Sequence, residues 1–106
     1  MKKILLFVLF LLISFAVDAR AADLTITMSN QRFSDNDIKI RAGDSVLFTN
    51  ADKISYNVQI MDNKGNVNDI GLQKPGETTK SNFNDAGEYK VTCGIHPNML
   101  LKIKVQ

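Results

Sequence analysis

With 106 residues, and 13 Lys and Arg against 11 Asp and Glu, the chain has the length of one domain. Its charge balance is too even to suggest a nucleic-acid or anionic-membrane surface. Cys93 is the only cysteine, which excludes an internal disulfide and an iron–sulfur cluster.

The chain opens on Met1-Lys2-Lys3, runs apolar from Ile4 to Val17 and reaches Ala19-Arg20-Ala21. A basic start, an apolar stretch and an Ala-x-Ala site make a secretory signal peptide, expected to be cut after Ala21. The apolar run of about 14 residues is shorter than the roughly 18–20 that a spanning helix needs. Residues 1–21 are therefore read as the leader and residues 22–106 as the mature domain, periplasmic or otherwise secreted and without a membrane anchor. Losing the leader leaves ten basic and ten acidic residues in 85. A domain this small buries a marginal core, and a lone thiol in an oxidising compartment needs burial or a metal to protect it.

The mature sequence reads as short strands separated by turns. Leu24, Ile26 and Met28 alternate with Thr25 and Thr27, and Ile38 and Ile40 alternate with Lys39 and Arg41. After Ala42-Gly43-Asp44, Val46 and Phe48 alternate with Leu47 and Thr49. Val58 and Ile60 follow, then the turn signals Asp62-Asn63-Lys64-Gly65 and Pro75-Gly76. Tyr89, Val91 and Cys93 share one face of a strand, and Leu101, Ile103 and Val105 one face of the last. Period-two alternation with turns at this spacing predicts an all-β, Greek-key sandwich of about eight strands. Asp85-Ala86-Gly87-Glu88-Tyr89 fits a tyrosine corner, in which the phenol bonds back to the chain just upstream.

Cys93-Gly94-Ile95-His96-Pro97-Asn98-Met99 places a thiol, an imidazole and a thioether at intervals of three, between two strands. Taken singly, each has a plain reading: a core cysteine, a solvated loop histidine, a core methionine. Together, in one tight loop, they form a donor set suited to one copper ion. Thioether is a poor zinc ligand. Met61 is another soft donor, but alternation puts it opposite Tyr56, Val58 and Ile60, so it is not read as a ligand.

The Cys-x-x-His-Pro-x-Met loop resembles that of cupredoxins of the plastocyanin and amicyanin branch, and is most similar to the amicyanins. Ile40 to Val46, Phe48-Thr49-Asn50, Asn57-Val58 and Gly87-Glu88-Tyr89 extend the resemblance over the mature chain. It implies an eight-stranded sandwich with copper at one end and single-electron transfer with a larger protein partner, through the apolar surface around His96. It also implies that Asn57 clasps the cysteine loop and tunes the metal.

Two positions depart from the family. Leu101 stands where glycine is usual, so packing there is expected to differ. Where the family reads Pro-His-Asn-Val, this chain reads Ser55-Tyr56-Asn57-Val58, and no other histidine replaces the missing ligand. Tyr56 has three readings. It ligates copper through its phenolate, despite an ordinary pKa near ~10. It lies beside a soft Cys93–His96–Met99 site that favours Cu(I). Or it marks a domain that has lost stable metal binding.

Function divides accordingly. An electron carrier comes first. A periplasmic Cu(I) carrier or chaperone serving a copper-trafficking partner, and a metal-free interaction module, are the alternatives. The protein is expected to act as a monomer. Enzyme chemistry is not expected, since Cys93 and His96 have no legible orienting group or oxyanion hole.

Overall fold

The computed structural model describes residues 20–106, and the expected leader lies almost wholly outside them. The described residues form nine strands in two facing sheets. They are β1 (Asp23–Ser29), β2 (Arg32–Phe33), β3 (Asp37–Ile40), β4 (Asp44–Asn50), β5 (Tyr56–Met61), β6 (Val67–Gln73), β7 (Thr78–Phe83), β8 (Gly87–Cys93) and β9 (Leu100–Val105). One sheet runs β2-β1-β4-β7 and the other β3-β9-β8-β5-β6. The pairs β1–β4 and β3–β9 are parallel and the others antiparallel.

The alternating residues close the sandwich. Ile26, Met28, Val46 and Phe48 face Val58, Val91, Leu101 and Ile103 across the interior, all at most 1 % exposed. Each such side chain contributes about 1.5–3 kcal/mol by leaving water. Leu101, the departure from the usual glycine, is wholly buried here and simply adds to the core.

The tyrosine corner is present. Tyr89 donates its phenol hydrogen to the Asp85 carbonyl at 2.9 Å and sets its ring edge-on against Phe83. Three strands carried no clear alternation in the sequence. β2 has two residues, closing a hairpin through Asn30 and Gln31, both at positive φ as a two-residue turn of this hand requires. β6 and β7 lie at sheet edges and bury few side chains, so neither keeps a regular apolar alternation.

An extra residue in β6 shifts the β5–β6 register between Asn57↔Leu72 and Gln59↔Asp69. Gly71 lies there at a φ of 94°, which suits glycine. The Gly71 amide donates to Asp69 Oδ1, and that carboxylate turns towards β5.

Candidate metal centre

Two interior strands carry the candidate residues. Cys93 ends β8, and Tyr56 begins β5 beside it, with Val58 paired to Cys93. The loop between β8 and β9 holds His96 and Met99, and closes through a hydrogen bond from the Met99 amide to the His96 carbonyl. Cys93 and Met99 are buried, at 1 % and 2 % exposed, whereas His96 is half-buried and Ile95, Pro97 and Asn98 are exposed. The thiol and thioether thus reach the loop from the inside, and the imidazole lies at its rim.

Asn57 fastens this loop from β5. Its amide donates to Cys93 Sγ at 3.3 Å, and its carbonyl accepts from the Gly94 amide at 3.0 Å. That N–H holds the sulfur in place at the start of the loop. The Asn57 side chain goes elsewhere, donating from Nδ2 to Asp69 at 2.9 Å. The clasp on the cysteine loop is therefore made by backbone, and Asp69 holds the asparagine that makes it. A Cβ at Gly94 would sit 2.5 Å from Asn57 Oδ1, so a side chain there would have to displace the Asn57 side-chain amide.

Tyr56 is wholly buried, and its ring lies 5.3 Å from that of His96, tilted by 55°. Its hydroxyl donates to Asp52 Oδ2 at 2.7 Å and accepts from the Gln31 amide at 3.0 Å. Burial, then the Asp52 carboxylate, push the phenol above its ordinary pKa. The bond from Tyr56 in turn holds Asp52 below the usual carboxylate value, with help from the amides of Lys53 and Asn30.

Asn50 builds this arrangement. Buried at the end of β4, it donates from Nδ2 to the Ile54 and Gln73 carbonyls and accepts from the Asp52 amide. The bend from 51 to 55 therefore presents Asp52 to Tyr56 and to the hairpin of Asn30 and Gln31. Asp52, Gln31 and Asp69 did not stand out in the sequence, and Asn50 did so only as part of Phe48-Thr49-Asn50, with no role attached. The spacing Asn50-x-Asp52 is a turn signal, but nothing local links it to residues 30 and 31.

Across β5–β6 from Tyr56, Gln73 is 1 % exposed, and neither polar atom of its side chain has a partner among the described residues. Met61 is 40 % exposed on β5's outer face, away from the loop. Among the described residues no three of His, Cys, Asp and Glu cluster as metal ligands.

The profile of the cupredoxin-like domain matches residues 2–105. The chain belongs to the cupredoxin-like domain family. This cupredoxin is 30 % identical over 96 residues to the methylamine utilization protein MauL of Methylorubrum extorquens, covering 91 % of this chain and 84 % of that one. It is 26 % identical over 91 residues to amicyanin-alpha of the same organism, covering 84 % and 76 %. Its fold superposes on the Cu(I) form of an amicyanin mutant with a TM-score of 0.72 at 20 % identity, over 85 % of this chain and 86 % of that one. A purple cupredoxin from Nitrosopumilus maritimus gives 0.68 at 24 %, over 79 % and all of its length. Kinship places the chain among the cupredoxins rather than among enzymes.

Proposed function

We propose that this cupredoxin is an exported protein that holds one copper ion with Cys93, His96 and Met99 and passes single electrons to a redox partner. The observation that carries this reading is the clasp from Asn57, which directs an N–H at a buried thiol and ties the ligand loop to an interior strand. The donor set fits copper, joining thiolate, imidazole and thioether. Copper bound there supplies a one-electron couple. The protein's own part is to keep the sulfur dry, fix the loop so that little reorganises, and leave the His96 edge at the surface.

Tyr56 is a neighbour of the metal in this reading and not a donor. Its oxygen is taken by Asp52 and the Gln31 amide, and burial favours the protonated phenol. Ligation would cost that proton and both hydrogen bonds.

That same feature favours a second reading, a Cu(I) carrier or chaperone. One imidazole and two sulfurs are a soft set that leaves Cu(II) poorly served. The deciding experiment is voltammetry of the protein with one equivalent of copper, alongside Cu(I) competition titration. A reversible wave supports electron transfer. Tight Cu(I) binding without a stable Cu(II) form supports the carrier. No tight binding of either ion removes both readings and leaves an interaction module.

A further inference from the structure

The β5–β6 bulge decides which residue of β6 meets the strand that fastens the ligand loop. Asn57 lies opposite Leu72, so a regular ladder would set Ile70 opposite Gln59. The extra residue sets Asp69 there instead. Opposed residues share a face, so the shift brings Asp69 to the outer face with Asn57 and Gln59. It also turns Ile70 inward, where it packs against the core.

Asp69 gathers three donors on that face. Its Oδ1 accepts from the Gly71 amide at 2.8 Å and from Asn57 Nδ2 at 2.9 Å, and its Oδ2 from Gln59 Nε2 at 3.3 Å. These bonds, the one from Gly71 foremost, hold the carboxyl below the usual carboxylate range. It is therefore ionised at neutral pH, and its bonds are charge-assisted. The Gly71 bond fixes the carboxylate to its own strand, and the other two fix both β5 side chains to the carboxylate.

Those two side chains lie against the ligand loop. A Cβ at Gly94 would meet Gln59 Nε2 at 3.3 Å as well as Asn57 Oδ1. The residue after Cys93 thus abuts the same pair of amides that Asp69 holds.

We propose that Asp69 is a positioning residue for the Cys93 thiol, acting through Asn57 and Gln59. Asn57 carries the effect to the sulfur, since its amide donates to Cys93 Sγ and its carbonyl accepts from the Gly94 amide. This role rests on the reading of Cys93 as a metal ligand. A ligand's hydrogen-bonded surroundings set its orientation, and here the anchor lies on a neighbouring strand, outside the loop.

The first measurement needs no copper. Cys93 is 1 % exposed, so its rate of reaction with a soluble aromatic disulfide reports how often the loop opens. Asp69→Ala should speed that reaction roughly tenfold. Asp69→Asn keeps an oxygen for the Gly71 and Asn57 donors, and should stay within about threefold of the parent. Asp62→Ala controls for general loosening. Asp62 accepts from the Lys64 and Asn66 amides and from Asn66 Nδ2, in the turn beyond the far end of β5. Its loss should change the Cys93 rate by no more than about twofold. Gly94→Ala, which displaces the Asn57 side chain, should also speed the reaction. Combined with Asp69→Ala it should do so by less than the product of the two effects.

An unchanged rate in Asp69→Ala would overturn the assignment, as would an equal rise in Asp62→Ala. Asp69→Asn reacting as fast as Asp69→Ala would show that the carboxylate acts through its charge, and would overturn it too. Cu(I) competition titration is the second readout, in which Asp69→Ala should bind about tenfold more weakly; equal affinity would reject the positioning role. A parent that binds no Cu(I) would remove the metal reading instead, and the thiol rates would still decide whether Asp69 positions Cys93.

Discussion

Replacing Tyr56 by phenylalanine removes one oxygen from the least family-like position in the chain. The ring and its contact with His96 remain, while Asp52 loses a donor and the Gln31 amide loses its acceptor. Asp52 and the exposed Gln31 both stay within reach of water, so the cost is that of two lost hydrogen bonds to one buried oxygen. Such a loss costs about 1–2 kcal/mol. For a domain of this size that lowers the melting temperature by roughly 5–10 °C. The acid limb also changes. A carboxylate with a depressed folded pKa contributes stability above its ordinary value of 3.8, which is lost as pH falls through the folded value. Since Tyr56 is the main cause for Asp52, Tyr56→Phe should lose less stability than the parent between neutral pH and that acid range. Cu(I) affinity is the decisive measurement. If the phenol is a neighbour only, competition titration gives parent and variant the same affinity within about threefold, a difference under 1 kcal/mol. A variant that melts as expected but binds copper far more weakly would refute the reasoning and make the phenolate a ligand.

The remaining predictions are read in other ways. Tyr56→His supplies the second imidazole, so adding Cu(II) should give the strong thiolate-to-copper absorption that the parent lacks or shows weakly; a folded, colourless variant would count against the loop geometry. Cys93→Ser should lower Cu(I) affinity by at least about a hundredfold, more than is usual for losing a ligand's partner, with the fold kept as judged by circular dichroism. Gln73→Met replaces a buried, unpartnered amide with an apolar chain of similar length, and should raise stability by about 1–2 kcal/mol in urea unfolding. Leader removal after Ala21 would turn the Ala22 amide, 2.9 Å from Asp44 Oδ1, into an ammonium. Mass spectrometry of the exported protein should find Ala22 first, and Asp44→Asn should destabilise that form more than the same chain extended by two residues.

Sequence alone determined what depends on near neighbours. Period-two alternation marked the strands that bury a face, because a strand must show apolar residues to one side. It missed β6 and β7, whose edge positions bury little and so impose no pattern. The corner between Asp85 and Tyr89 spans four residues, so spacing alone carries its geometry, and the candidate donors Cys93, His96 and Met99 fall within one loop. Tertiary structure decided the rest, because sheet register joins residues with no local relation. Tyr56 could be read from sequence as ligand or bystander; only the fold brings residues 31 and 52 to its hydroxyl and gives that oxygen other work. The lysines at 39, 90, 102 and 104 look evenly mixed along the chain. They become cross-strand neighbours, Lys39 beside Lys104 and Lys90 beside Lys102, only when β3, β9 and β8 lie side by side in this register.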